Sequence, residues 1–461
     1  MFALLLLPLL AATYDVGPGL EHEHPLTVPW ESLKPGDEVV IRAREQPYRM
    51  KWVLGVAGTK EQPIVVRGVR DNAGNRPVFS GEDALTPPRL VYNGGARSLL
   101  KIGASSVPTD TMPEHLVIDN IEFRDARPAI RFYGRRGEEE YVNNAAGLFI
   151  EKGRNIVVRR CRFTGCGNGL FVAPETAHLA FEACEFEGNG VVDSIYEHNV
   201  YTSSVDIAFV GCRFGPLADG ALGNNLKDRS GGLTVANCWI EGGNRQLDLV
   251  DAQNAVWIAQ DPTYRTTWVV GNVLIESEPR LNNQIIHYGG DSGETQFYRK
   301  GTLKLWFNTI LSQRPKATVL RLSTGDELAD LRGNLIHTVN GGSHIAILDD
   351  LGRVNMDTNW IRRGYRRSFG SQAGIFEETG TVVGSDPLFV DVAGRDLRLA
   401  EGSTAVDAGP ELLQVPWQAD DALGRQFAWP AGTSQRVDPA PVNFGALGVT
   451  REPADWPEAS E

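Results

Sequence analysis

The sequence predicts an all-β solenoid, with short parallel strands stacked one per coil into a β-helix. Three observations predict it. A short motif recurs as Cys161-Arg162-Phe163, Cys184-Glu185-Phe186, Cys212-Arg213-Phe214 and Cys238-Trp239-Ile240, at steps of 23, 28 and 26 residues. A repeat of that length reads as one coil of a stacked array, because each unit buries its apolar face only against its neighbours. Several of these motifs follow β-branched or alternating runs: Ile156-Val157-Val158, Ile207-Ala208-Phe209-Val210, Leu233-Thr234-Val235 and Trp268-Val269-Val270. Such runs are strand signals. Gly, Asn and Asp clusters separate them, and no long amphipathic helix competes.

The elements follow in order. Residues 1–13 form an apolar run ending in Ala11-Ala12-Thr13, without a charged start. The run is too short to span a bilayer and reads as the hydrophobic region of a secretory signal. A secreted or periplasmic protein with no membrane span is therefore expected. Residues 14–110 contain Gly36-Asp37-Glu38-Val39-Val40-Ile41 and Gly58-Thr59 leading to Pro63-Ile64-Val65-Val66-Arg67-Gly68, and read as an N-terminal cap plus the first coils. Residues 111–410 are the β-helix proper and the expected catalytic region. Extending the cysteine register in both directions gives a ladder of Ile121, Cys161, Cys184, Cys212, Cys238, Val273, Thr309 and Leu335. Residues 411–461, rich in Pro, Trp and charge, read as a covering tail over the end of the solenoid, which otherwise invites edge-to-edge pairing.

Composition narrows the function. The 461 residues carry a net charge of −13. That argues against nucleic acid as a partner, since a phosphate backbone selects basic surfaces. Five cysteines, four of them at one position of the repeat, read as small apolar fillers of an inward ladder rather than as disulfides or a metal centre.

The coil motif, the early Gly58-Thr59…Pro63-Ile64-Val65-Val66-Arg67-Gly68 and the late Asp386-Pro387-Leu388-Phe389-Val390…Asp407-Ala408-Gly409 resemble bacterial right-handed parallel β-helix proteins of the pectate-lyase-like superfamily. Tyr196-Glu197-His198-Asn199 and Asn224-Asn225-Leu226-Lys227-Asp228-Arg229 resemble secreted members labelled polysaccharide-degrading enzymes. The resemblance covers about residues 14–410 and implies a right-handed coil. It speaks for the fold more than for the chemistry, because this scaffold carries lyases, hydrolases, epimerases and adhesins.

The register locates a polar column. Second strands in successive coils read His198–Ser203, 224–229, 245–249 and 284–288. Side chains alternate along a strand. Val200, Leu226, Leu247 and Ile286 then point inward. Asn199, Tyr201, Asn225, Lys227, Arg229, Gln246, Asp248 and His287 point outward. His198 joins that face only if its strand starts after it, and a further coil adds Arg321. Tyr201, Lys227, Asp248 and His287 should occupy adjacent rungs over about 15 Å, at about 4.8 Å per rung. That length suits several sugar units.

The residue types suggest removal of the proton at C5 of a uronic acid, with cleavage by β-elimination. This chemistry needs a base, an acid and cations to neutralise the carboxylate. Lys227, Arg229, His198 and Tyr201 are the catalytic candidates. The base is Lys227, Tyr201 or His198, with Arg229 and Arg245 expected to depress the Lys227 pKa. Asn199, Asn225, Arg245, Gln246, Asp248, His287 and Arg321 are the candidates for binding an acidic polysaccharide. The resemblance implies that calcium can assist. Asp248 and Asp251 are the candidate metal ligands, with Asp228 a further carboxylate nearby, although no calcium-loop spacing is present. A glycoside hydrolase needs two facing carboxylates, which the alternation does not supply. A glycoside hydrolase, a C5-epimerase or a non-catalytic glycan-binding solenoid remain alternatives, and a monomer is expected.

Three peripheral groups have bland readings. Glu21-His22-Glu23-His24 and Arg135-Arg136-Gly137-Glu138-Glu139-Glu140 read as solvated loops. Tyr365 among Arg362, Arg363, Arg366 and Arg367 reads as a basic loop.

Overall fold

A computed structural model describes residues 11–110, 112–277, 281–370, 373–406, 409, 425–428, 431–435 and 443–447. Residues 1–10 of the expected signal, and Asp407-Ala408 of the late motif, lie outside these. Thr13 already opens the first strand, paired with Glu38.

Parallel strands form three faces of a prism. One long face runs from Thr13–Val16 through Glu38–Arg42, Ile64–Val69, Glu114–Asp119, Val205–Val210, Gly231–Ala236 and Thr266–Val270 to Ile375–Thr379. A second face carries Val200–Thr202, Leu226–Asp228, Leu247–Leu249, Gln284–Tyr288 and Ala317–Leu322. The long strands Ala146–Arg159 and Asn168–Glu182 turn the corner between them, so both faces belong to one 21-stranded sheet. The third face is an 11-stranded sheet from Val78–Ser80 to Val382–Gly384.

The cysteine motif sits at the entry to the third face. Cys161, Cys184, Cys212 and Cys238 are buried free thiols, as is Cys166. The motif phenylalanines stack beneath one another. Phe123, Phe163, Phe186 and Phe214 have successive ring centroids 5.3, 5.1 and 5.3 Å apart. Stacked pairs of this kind add about 0.5–1.5 kcal/mol beyond their buried area.

The downstream ladder is shifted by one residue from the expected register. Trp239, not Cys238, pairs with Val273, so Cys238 stands opposite Asn272. From there an asparagine ladder continues the cysteine one. The Cys238 amide donates to Asn272 Oδ1 at 2.8 Å, Asn272 to Asn308 at 2.9 Å, Asn308 to Asn334 at 2.9 Å and Asn334 to Asn359 at 2.9 Å. The asparagines are fully buried, and each spans two coils by donating back to a carbonyl. The apolar residues after them invited the slip, because either neighbour fits a buried corner.

Val200, Leu226, Leu247 and Ile286 face inward and are fully buried, as alternation requires. In the tail, Phe427, Phe444, Ala446 and Leu447 are buried against the outer side of the third face, beside Trp239, Leu311 and Leu335. No helix of the described residues is long and apolar enough to cross a membrane.

Candidate active site

The second face carries the polar column in the expected register. Tyr201 pairs with Lys227, Lys227 with Asp248, Asp248 with His287, and His287 with Arg321. The same column continues in the other direction through Phe171, Phe149 and Lys101. Phe149, Phe171 and Tyr201 meet edge to face at 5.3 and 5.0 Å. Arg97 lies about 5 Å over both phenylalanine rings. Beyond Lys101, a cavity of about 470 Å³ is lined by Tyr92, Phe132, Arg135, Arg136 and Glu139; the expected Arg135–Glu140 loop is instead the end of a hairpin, Arg131–Gly134 antiparallel to Gly137–Glu140, and borders this cavity.

Asp248 is the hub. Its Oδ2 accepts from Lys227 Nζ at 2.8 Å and Asn224 Nδ2 at 2.9 Å. Its Oδ1 accepts from His287 Nδ1 at 2.8 Å and Arg245 at 3.2 Å. Burial alone would raise its pKa. The His287 hydrogen bond and the Lys227 and Arg245 charges overcome that and hold the carboxyl well below its usual range.

Lys227 is held by two carboxylates. Besides Asp248, its ammonium donates to Asp291 Oδ2 at 2.5 Å. Burial pulls its pKa down, but Asp248 and Asp291 together outweigh burial and Arg229, and the pKa ends above the ordinary value. The expected depression by neighbouring arginines is therefore reversed. Lys227 is a cation at neutral pH, not a ready base.

Arg229 bridges the rest. Nε donates to the Tyr201 hydroxyl at 2.9 Å, one terminal nitrogen to the Asp251 carbonyl at 2.7 Å, and the other to Asp291 Oδ1 at 2.9 Å. The Asp291 carboxylate thus spans Lys227 and Arg229, one oxygen on each. Sequence reasoning missed Asp291 because it sits on a loop after Gly289-Gly290, outside any strand register.

His198 is buried, with its ring edge-on to Tyr201 at 5.5 Å. Its Nδ1 accepts the Asn224 amide at 2.9 Å, which leaves the ring proton on Nε2. Burial, helped by the Lys227 charge, lowers its pKa to about 3. His198 faces the site as a neutral donor and is unsuited to be the base.

Three expected binding residues lie elsewhere. Asn199, Asn225 and Gln246 are fully buried. Asn189 donates to Asn199 at 2.9 Å, Asn199 to Asn225 at 2.6 Å, and Asn225 and Gln246 to the Gly242 carbonyl at 2.8 Å. The strands begin at Val200, Leu226 and Leu247, so these amides belong to the preceding corner, where strand alternation does not apply. His287 is also buried, and Nε2 lies 2.9 Å from Ser323 Oγ, so both ring nitrogens are engaged. Arg245 leans on Asp248, whereas Arg321 is exposed.

The carboxylates do not fit calcium. A calcium ion takes six to eight oxygens. Asp248 is enclosed by cationic and N–H donors. Asp251 accepts the amides of Asp291 at 2.8 Å, Ser292 at 3.1 Å and Gln253 at 3.2 Å. Asp228 is committed to the fully buried Arg299 at 2.8 Å. No group of three or more His, Cys, Asp or Glu among the described residues is placed to hold a metal.

The peripheral groups are accounted for locally. His24 accepts the Leu26 amide at 3.2 Å. Arg136 pairs with Glu139 at 3.0 Å, and Tyr365 donates to Glu378 at 2.5 Å. Trp52 and Trp306 are buried, whereas Trp257 is exposed with its indole N–H on the Pro174 carbonyl at 3.3 Å.

The coil geometry defines a class, the right-handed parallel β-helix. A family model described as "Right handed beta helix region" matches residues 111–274. Among solved structures the chain is similar to pectate lyase Pel9A, with a TM-score of 0.51 and 13% identity over 95% of this chain and 97% of that one. It is also similar to an alginate lyase from Paenibacillus sp. str. FPU-7, with a TM-score of 0.46 and 10% identity over 76% of this chain and 94% of that one. A GH136 lacto-N-biosidase from Eubacterium ramulus follows at 0.42 and 10%, over 81% and 68%. At such identities the likeness carries the fold and not the activity. No curated protein matches the chain.

Proposed function

We propose that this protein is a polysaccharide-active enzyme that cleaves a uronate-containing chain by β-elimination. One observation carries the reading: Lys227 and Arg229 jointly hold a carboxylate, that of Asp291, beside the Tyr201 hydroxyl. A substrate carboxylate taking the place of Asp291 would be neutralised by the same two cations, as the enolate-like intermediate requires. Tyr201 is then the base for the C5 proton, because its oxygen lies beside the carboxylate the two cations hold and is fixed there by the Arg229 Nε–H at 2.9 Å. Lys227, a cation oriented by Asp248, supplies the proton for the departing oxygen. The rings of Phe149 and Phe171 extend the column as apolar platforms for further sugars. Pel9A, named as a pectate lyase, agrees with an acidic substrate. The apolar start of the chain supports action outside the cytoplasm.

Hydrolysis is disfavoured. It needs a carboxylic acid that stays protonated. The two carboxylates nearest Tyr201 and Lys227, Asp248 and Asp291, are both held below their usual range, Asp291 by Lys227 and Arg229 against the effect of burial.

The test is incubation with polygalacturonate and alginate. An unsaturated product absorbing in the ultraviolet supports the reading. Reducing ends without unsaturation would make the protein a hydrolase. Deuterium incorporation at C5 without cleavage would make it an epimerase, and retention without turnover a binding module.

A further inference from the structure

We infer that Ser323, His287 and Asp248 form a second, hydrolytic centre that removes ester-linked acyl groups from sugars in the groove. The three residues come from three successive coils. Asp248 lies on the strand Leu247–Leu249, His287 on Gln284–Tyr288, and Ser323 one residue past Ala317–Leu322. Asp248 Oδ1 lies 2.8 Å from His287 Nδ1, and His287 Nε2 lies 2.9 Å from Ser323 Oγ.

The protons are ordered by this geometry. The Asp248 carboxylate can only accept, so the imidazole proton sits on Nδ1. The Nε2 lone pair then faces the serine hydroxyl. That is the polarity in which an imidazole takes a proton from a nucleophile while a carboxylate orients it. Burial lowers the His287 pKa, partly opposed by Asp248, and keeps the ring neutral and able to accept. Asp248 and His287 are buried beneath a half-buried Ser323. The nucleophile is the outermost of the three.

The surroundings of Ser323 fit this role. The Gly290 amide donates to Oγ at 2.9 Å. The hydroxyl proton is shared between Nε2 and the Gly290 carbonyl, also at 2.9 Å, with the Tyr288 carbonyl farther off at 3.4 Å. Gly289 has φ +135°, and a Cβ there would stand 2.6 Å from the Ser323 side chain. The Gly-Gly turn is what lets the loop approach the hydroxyl so closely. Arg321, two residues earlier in the chain and paired in register with His287, is exposed and makes no hydrogen bond or ion pair among the described residues. It is the available cation for an oxyanion.

In the first step Ser323 Oγ attacks the ester carbonyl and its proton passes to His287 Nε2. The tetrahedral oxyanion faces Arg321. Collapse breaks the ester bond, and the departing sugar hydroxyl takes the proton from Nε2. Water then attacks the acyl-serine, gives a proton to Nε2 and releases the carboxylic acid, and the proton returns to Ser323. The relay stands on its own geometry. That a sugar carries the ester rests on the polysaccharide reading.

A fluorophosphonate probe and p-nitrophenyl acetate test the relay without any sugar. The expected result is a single adduct at Ser323 by peptide mass spectrometry. Hydrolysis should fall by about 10³-fold in Ser323→Ala and in His287→Gln variants whose circular dichroism is unchanged. If a variant fails to fold, the adduct on the unaltered protein decides. No adduct, or hydrolysis that persists in a folded Ser323→Ala, overturns the relay. Acetate release from an O-acetylated acidic polysaccharide supports the sugar ester. A labelled Ser323 without acetate release overturns only that part, and the β-elimination assay is read separately.

Discussion

Lys227 and Asp248, neighbours on adjacent rungs, are joined by a 2.8 Å hydrogen bond between an ammonium and a carboxylate that are both almost withdrawn from water. The pair keeps Lys227 charged, which is why the proposed β-elimination assigns the base to Tyr201.

Tyr201→Phe removes one oxygen and leaves the ring packed on Phe171. The kcat for β-elimination should fall by about 10²- to 10⁴-fold, the usual share of a positioned acid or base. KM and the thermal midpoint should change little. Steady-state kinetics and a melting curve check this, and a kcat within tenfold of the original would rule Tyr201 out as the base.

Asp291→Ala frees Lys227 and Arg229 for a substrate carboxylate. KM for an acidic polysaccharide should drop by about 2- to 5-fold, the scale of a partly exposed ion pair. A rise in KM would mean that Asp291 helps hold the substrate rather than standing in for it.

Asn199→Ala should lower stability without weakening substrate binding. The change takes away the oxygen that accepts from Asn189 Nδ2 and the N–H that donates to Asn225 Oδ1, at a cost of about 1–3 kcal/mol. Urea unfolding and KM, measured on the same variant, separate the two roles.

Asp228→Ala strands the Arg299 guanidinium, whose side chain is fully buried. The loss should be about 3–5 kcal/mol, more than for any exposed ion pair, and unfolding in denaturant measures it.

Acidification should destabilise the protein from about pH 6.5 downward. His198 has a native pKa of about 3, below the unfolded value near 6.5, so the unfolded chain binds the proton first. Its contribution is complete above pH 6.5 and is lost as pH falls toward 3, at about 1.4 kcal/mol per unit. His24 and His337, both lowered to about 4 by burial, add to the slope. Asp248 is lost only at still lower pH, below the ordinary carboxylate range. His198→Gln should flatten the dependence by one proton's worth, as melting curves across pH would show.

The repeating motif made the coil readable, because a solenoid writes its period directly into the chain. Strand alternation then placed Tyr201, Lys227, Asp248, His287 and Arg321 in one column. It failed for Asn199, Asn225 and Gln246, one residue before each strand begins, where the backbone turns and parity is lost. It failed again after Cys238, where an asparagine rather than the apolar residue beside it continues the ladder.

Local sequence therefore determined the fold class, the inner apolar ladder and the membership of the outward column, all of which depend on spacing alone. Only the tertiary structure decided what the column's residues are. Asp291 reaches Lys227 across 64 residues and keeps it protonated, and Ser323 reaches His287 across 36. The charge state of a side chain depends on the groups within a few ångströms of it, and in a solenoid those come from other coils and their loops.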